Sequence, residues 1–172
     1  GREFIRRSPF LVLATVSGAG YVDVSPRGDP PGFVKMLDDK TLVLPDRRGN
    51  RRVDSMTNIL ENPNIGMIFF LPGYEETLRV RGRATLTRDP GDLDGMAVNG
   101  KAPEIGIRVE IDTVFYHCAK ALKRSHLWDP ESRKLAEGYP KFAQIIHDQY
   151  MHDVPVEKID RPLQDAYKND LY

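Results

Sequence analysis

The chain has 172 residues, a length that accommodates one domain with a hydrophobic core. Its 25 Lys and Arg residues equal its 25 Asp and Glu residues, and this balance argues against a general binder of nucleic acids or anionic membranes. The single cysteine, Cys118, excludes a disulfide framework and a thiolate metal site, and it fits a reducing, cytoplasmic compartment. No apolar run approaches the roughly 20 residues that a membrane span requires.

Short strands separated by turn residues dominate the first two thirds of the sequence. Apolar runs and alternating patterns predict strands over residues 10–16, 21–25, 33–37, 41–44 and 65–71. From Leu78 to Thr87, apolar residues alternate with arginines and threonines, which is the period of two of a strand with one buried face. The same period recurs from Ile107 to Asp112 and predicts a further strand.

Three helices are predicted among and after these strands. The first covers residues 51–61, with Asn50 as its N-cap and Asn62-Pro63 at its end. The others cover residues 118–124 and 141–151, and the charged tail after Asp153 is expected to dock on a partner or to remain loose. Many short strands with few helices predict a mainly β fold, a small β-barrel with added helices, and argue against a doubly wound sheet.

Four arginines stand within six residues at the start of the first predicted helix: Arg47, Arg48, Arg51 and Arg52. A helix N-terminus already carries a partial positive charge and free backbone N–H groups, so arginines there need an anion to offset them. A phosphate would accept hydrogen bonds from both the arginines and the backbone. The alternative is a solvated basic turn whose side chains point apart, and this stretch alone leaves both open.

Two further stretches combine polar or aromatic side chains with turn residues. The end of the strand predicted over residues 21–25 brings Ser25, Arg27 and Asp29 together before a rigid Pro/Gly loop, so Ser25 and Arg27 could reach a second part of the same ligand. The alternative there is a loop that only connects two strands. The only tryptophan, Trp128, follows a basic helix end at Arg124, and this pair suits a planar, anionic cofactor. A tryptophan that closes the edge of the core is the alternative.

Several catalytic and metal motifs are absent from the sequence. Asp23 stands where a dinucleotide fingerprint needs its third glycine, and neither a Walker loop nor a nucleophile elbow occurs. His147 and His152 lie five residues apart and do not share a helical face, so no metal site is predicted.

Six stretches follow one another along the chain in an informative order: Asp23–Gly32, Pro45–Arg52, Asn58–Pro63, Pro72-Gly73, Thr77–Ala84 and His117–Pro130. The ordered set resembles a subgroup of the pyridoxamine 5'-phosphate oxidase-like (PNPOx-like) FMN-binding split-barrel proteins. The resemblance covers about residues 4–130. It implies an FMN-binding split β-barrel over residues 1–135 and a helical extension of the same domain over residues 136–172. It also implies a homodimer with FMN at the subunit interface.

The resemblance further implies which residues hold the cofactor. The family binds the FMN phosphate with a basic segment before the helix, which here falls on Asn50, Arg51 and Arg52, with Arg47 or Arg48 in addition. Contacts with the rest of the flavin are expected from the preceding strands, at Ser25, Pro26, Arg27, Val43 and Pro45. A third group is expected to come from the other subunit: Arg124, Ser125 and Trp128.

The implied function is that of an FMN-dependent oxidoreductase of unknown substrate, with a small molecule as substrate or electron donor. Because a flavin carries the redox chemistry itself, no catalytic side chain is predicted. The true pyridoxamine phosphate oxidases carry Arg, an apolar run and Lys where this chain has Ser25 to Asp29, so a vitamin B6 substrate does not follow. The alternatives are a non-enzymatic flavin-storage or redox-sensing protein, a true pyridoxamine phosphate oxidase, and a barrel that binds another phosphorylated ligand.

Overall fold

A single antiparallel sheet forms the centre of the computed structural model, which describes residues 1–49 and 52–172. Its strands are β1 (Phe10–Val16), β2 (Val22–Gly28), β3 (Lys35–Met36), β4 (Thr41–Pro45), β5 (Asn64–Phe70), β6 (Thr77–Thr87) and β7 (Gly106–His117). They are hydrogen-bonded in the order β2-β1-β5-β6-β7-β4-β3, so β2 and β3 are the two edges. The prediction of a mainly β fold with helices is confirmed, and the described part of the sheet is open between these edges.

Alternating side chains of the central strands build the core. On β1, Leu11 and Leu13 are fully buried while Val12 and Ala14, on the opposite face, are half-buried. The same alternation places Met67 and Phe69 of β5 in the core. The strand over residues 10–16 matches its prediction at both ends.

Strands β6 and β7 are the longest pair, and a bulge interrupts their register between Arg81 and Gly82. A Cβ atom on Gly82 would lie only 2.1 Å from the backbone oxygen of Glu110, so the two backbones approach as closely as a glycine permits. Strand β7 continues five residues past the predicted end at Asp112, to His117.

In the described part of the first 128 residues, the helices are α1 (Arg2–Arg7), α2 (Asp54–Glu61), α3 (Pro90–Leu93) and α4 (Lys120–Ser125). The prediction that a helix begins at residue 51 is wrong, because α2 begins at Asp54 with Val53 as its N-cap residue. An acidic residue in the first turn complements the helix dipole, which favours a start at Asp54. Asn50, the expected N-cap, and Arg51 lie outside the described residues.

Helix α2 is attached to the sheet by a buried hydrogen bond. The Asn58 side-chain amide donates to the hydroxyl of Thr15 on β1 over 3.0 Å, and both residues are buried. The neighbouring Ile59 adds an apolar contact to the core. This pair fixes where α2 lies along β1, since a buried polar group without a partner is costly.

The described residues fall into two compact units, residues 1–46 with 52–128 and residues 47–49 with 129–172. The second contains a 3-10 helix (Pro130–Ala136), α5 (Phe142–Tyr150) and α6 (Val156–Asn169). Helix α5 matches the expected helix over residues 141–151 to within one residue at each end. The tail is not loose, because Ile159 of α6 is buried in a helix pair with α5. Docking of the tail on a partner stays a prediction. The proposed domain boundary at residues 135–136 stays a prediction.

Among the described residues, no helix combines the length and the apolar character needed to cross a membrane. In the same part of the chain, no three His, Cys, Asp or Glu side chains are grouped so that they could hold a metal ion.

Candidate functional site

Arg27 connects the edge strand β2 with the end of β4. It lies near the end of the edge strand β2, and its Nη1 atom donates to Oδ1 of Asp46 over 3.2 Å. Asp46 directly follows β4, the neighbour of the other edge strand. Only 20% of the Arg27 side chain is exposed, and its Nε atom is buried without a hydrogen-bond partner among the described residues. A buried N–H group of this kind costs about 1–3 kcal/mol, so the position favours an acceptor supplied by a ligand.

Ser25 and Arg27 lie on the same face of β2, because side chains alternate along a strand. Both are half-buried, and their partners on β1 are Leu13 and Leu11, which face the core. Pro26 is exposed on the opposite face. Two of the three residues expected at this point therefore lie on one side of the strand, and their role in cofactor binding stays a prediction.

Val43 and Pro45 on β4 are both buried. Strand β4 lies between β3 and β7, and a Cγ atom of Val43 is 3.0 Å from the position that a Cβ atom on Gly106 would occupy. The Val43 side chain is therefore enclosed by the protein, which leaves only backbone atoms for contact with a ligand. The role of these two residues in cofactor binding stays a prediction.

The described arginines of the basic segment each contact a group of the chain itself. In the first unit, Arg52 donates from Nε to a carboxylate oxygen of Asp54 over 2.7 Å. In the second unit, Arg48 donates from Nη1 to Asp170 over 2.8 Å. The guanidinium carbon of Arg47 lies 5.6 Å from the centre of the Tyr172 ring. Carboxylates of the chain thus already offset part of the charge for which the sequence suggested an external anion.

Helix α4 is anchored to the turn between β5 and β6. The indole Nε1 of Trp128 donates to the backbone oxygen of Tyr74 over 2.9 Å, and Lys123 forms an ion pair with Glu75. The hydrogen bond and the negative charge of Glu75 raise the pKa of Lys123. These contacts fix the end of α4, where Arg124 and Ser125 are exposed.

An open groove on the outer face of the sheet was not predicted. Its cavity measures about 310 Å³ and is lined by Val12, Ala14, Val24, Gly66, Met67, Ile68, Arg79 and His117. The Arg79 guanidinium lies over the Phe115 ring, 5.2 Å from its centre. Apolar residues on both faces of β1 and β5 were the available signal, because a strand covered on both sides is apolar throughout.

A pair of histidines in the second unit lies apart from these groups. The rings of His147 and His152 have their centres 6.5 Å apart, and Nδ1 of His147 is 2.8 Å from Oδ1 of Asp148. The hydrogen bond with His147 lowers the pKa of Asp148. A single carboxylate beside two imidazoles falls short of the three or four protein ligands usual for a zinc ion.

Comparison with known proteins assigns the chain to a family. Residues 1–118 match the family model described as pyridoxamine 5'-phosphate oxidase. The chain belongs to this family. The matched span includes β1 to β7 as the structure describes them and the residues expected to bind the cofactor from Ser25 to Arg52. Arg124, Ser125 and Trp128 lie beyond its end.

Solved structures support the same fold. The HupZ protein of Group A Streptococcus superposes with a TM-score of 0.54 at 17% identity, over 66% of this chain and 88% of that one. General stress protein 26 from Bacillus anthracis str. Sterne gives a TM-score of 0.53 at 19% identity, over 67% of this chain and 88% of that one. A search of curated proteins found no match. At these identities the likeness shows the shared fold alone.

Proposed function

We propose that this protein binds FMN and acts as an FMN-dependent oxidoreductase on a small-molecule substrate. The observation that carries the proposal is the buried, unpartnered Nε of Arg27 beside the half-buried Ser25, inside the span that matches the family. A flavin ring presents carbonyl oxygens and ring nitrogens, which are the acceptors that such a donor lacks. The residues present therefore fit the group.

The phosphate of FMN is proposed to bind at the basic segment. Arg51 and Arg52 are the principal residues, Asn50 adds an amide, and Arg47 or Arg48 is a further donor. Guanidinium groups bind phosphate oxygens in pairs of charge-assisted hydrogen bonds, which gives both strength and orientation. Arg52 already donates to Asp54, so a phosphate would share this guanidinium with the carboxylate.

Bound FMN would supply the transfer of a hydride or of electrons between donor and acceptor. The chain itself has three tasks in this proposal. Arg27 and Ser25 orient the ring system through hydrogen bonds, the basic segment holds the phosphate, and the enclosed strand β4 keeps water from one side of the site. None of these tasks requires an acid–base pair, which agrees with the absence of such a pair from the sequence.

A homodimer is proposed as the working form. The outer sheet face exposes 39% of Phe10, 67% of Val22 and 59% of Val24, although monomers seldom expose large continuous apolar patches. A second copy would cover this face, and each copy would offer Arg124, Ser125 and Trp128 to the site of the other. The unpaired Cys118 supports a reducing, cytoplasmic setting for this dimer.

An FMN titration followed by flavin fluorescence tests the binding proposal. Arg27→Gln removes the unpartnered donor, and we expect FMN affinity to fall by about tenfold or more, the equivalent of about 1.4 kcal/mol. Arg88→Gln is the matched control, since Arg88 is an exposed arginine of the same unit. Equal affinities for wild type and Arg27→Gln would contradict the role assigned to Arg27.

Turnover separates an enzyme from a flavin-storage or redox-sensing protein. We expect NADH or NADPH to reduce the bound FMN and oxygen to reoxidise it, with two electrons passing from donor to acceptor in each cycle. Bound FMN that remains oxidised after addition of NADH and of NADPH would favour a storage protein. Formation of pyridoxal phosphate from pyridoxamine phosphate would instead identify a true pyridoxamine phosphate oxidase.

A further inference from the structure

Asp170 and Tyr172, which follow α6, each contact an arginine of the basic segment. The Asp170 carboxylate accepts a hydrogen bond from Arg48 over 2.8 Å, and the Tyr172 ring lies beneath Arg47. All four residues belong to the second compact unit. A carboxylate and an aromatic face are the two protein groups that best imitate an anionic, planar ligand in front of a guanidinium.

The position of Asp170 is unfavourable for a carboxylate by itself. Asp170 is the C-cap residue of α6, where the helix dipole presents partial negative charge. The positive charge of Arg48 offsets this repulsion, so the position of the Asp170 carboxylate depends on its ion pair with Arg48. The Asp170 and Arg48 side chains are 53% and 70% exposed, and ion pairs this exposed are weak enough for a phosphate to displace.

From these contacts we propose that residues 170–172 form a latch that competes with an anionic ligand for Arg48 and Arg47. The latch rests on the proposed function, in which these arginines help to hold the FMN phosphate. Ligand binding then includes displacement of Asp170, and the apparent affinity is lowered by the fraction of molecules in which the latch is closed. Release of the latch frees the end of α6, so occupancy of the phosphate site is coupled to the C-terminal helix.

The test compares Asp170→Asn with wild type in titrations of the full chain with FMN and, separately, with inorganic pyrophosphate. Asp170→Asn keeps the side-chain shape, removes the negative charge and relieves the repulsion at the helix end, so the fold is expected to persist. We expect about two- to fivefold tighter binding, the range for loss of one exposed ion pair. Asp165→Asn is the matched control, because Asp165 is exposed on the same helix.

A second comparison, made in the Arg48→Gln variant, tests whether the effect of Asp170→Asn depends on the ion pair between Arg48 and Asp170. In Arg48→Gln, the additional change Asp170→Asn should leave affinity unchanged, because the partner of the carboxylate is already gone. A gain of the same size in that background would overturn the latch, and so would equal FMN affinities for wild type and Asp170→Asn.

The two ligands separate failure of the latch from failure of the flavin proposal. If FMN binds neither protein, the proposed function fails and pyrophosphate decides the latch. Tighter pyrophosphate binding by Asp170→Asn would support a latch over another anion site. Equal or undetectable pyrophosphate binding by both proteins would overturn it.

Discussion

Arg27 illustrates how one side chain can stabilise the fold and remain available to a ligand. One nitrogen of its guanidinium donates to Asp46, and this contact joins the edge strand β2 to the end of β4. The Nε atom is buried and has no hydrogen-bond partner in the part of the chain that the structure describes. Replacement of Arg27 therefore affects both the edge contact and the donor, and Asp46→Asn, which weakens only the contact, separates the two effects.

The Asp38 carboxylate lies in the turn between β3 and β4, and we expect it to make the free energy of unfolding depend on pH. Its carboxylate accepts hydrogen bonds from the backbone N–H of Lys40 and from the hydroxyl of Thr41, and these bonds lower its pKa below the usual 3.8. A lowered pKa in the folded state stabilises the protein above the unfolded value, and the stabilisation is lost as pH falls through the folded value.

The measurement is the free energy of unfolding in urea, from neutral pH to below the usual pKa of Asp38. We expect wild type to exceed Asp38→Asn in stability at neutral pH and the difference to shrink as pH falls below 3.8. Asp165→Asn controls for the loss of one negative charge at an exposed position. A difference that stays constant over this range would contradict the role of the Asp38 carboxylate.

At the residue scale, the sequence singled out Ser25 and Arg27 but not the partners that they find. Ser25 and Arg27 share a face because β2 continues to Gly28, whereas the sequence predicted the end of this strand at Ser25. Asp46 lies 19 residues away, and its contact with Arg27 depends on how the sheet edges approach each other. The Tyr74 carbonyl that binds Trp128 is equally invisible in sequence, because every residue carries the same backbone acceptor.

At the element scale, the β6–β7 pair depends on a glycine at its bulge. Gly82→Ala would place a methyl group against the Glu110 backbone, where the clash cannot be relieved by a side-chain rotation. We expect a loss of about 1–3 kcal/mol in the free energy of unfolding, measured by chemical denaturation. Thr85→Ala, at an exposed position of the same strand, should change stability much less. Equal stabilities for Gly82→Ala and Thr85→Ala would show that the bulge tolerates a side chain.

The sequence predicted the ends of a strand or helix closely where a single periodic pattern covered the whole element. The alternation from Leu78 to Thr87 predicted β6 closely, whereas the bulge depends on the register with β7 and leaves no local signal. The missed α6 has a different cause. Its few apolar residues, such as Ile159, are separated by many charges, and the helix is stabilised by packing against α5.

At the scale of the whole molecule, the outer sheet face predicts self-association. Val24→Asp places a charge in the groove, and we expect it to convert a dimer of about twice 19.5 kDa into a monomer with weaker FMN binding. Light scattering coupled to size-exclusion chromatography gives the mass. Leu135→Asp, at an apolar residue that is 82% exposed elsewhere on the chain, should leave the mass unchanged. A monomeric wild type would contradict the dimer.

The class of fold was predictable because many short strands leave few architectures open. The opening between β2 and β3 was not, since it depends on the relative positions of two edge strands that are far apart in the hydrogen-bonded order. The basic segment was recognised from its arginines alone. Its contacts with Asp54 and Asp170 required the structure, because Asp170 lies 122 residues from Arg48.

The most direct measurement is the visible absorption spectrum of the purified protein after FMN is added and free FMN is removed. We predict retained flavin bands with about one FMN per chain for wild type, and bands lost or strongly weakened for Arg51→Ala/Arg52→Ala, because the phosphate loses its charge-assisted hydrogen bonds. A wild-type protein that stays colourless would contradict FMN binding. Undiminished bands in the double variant would contradict the phosphate site.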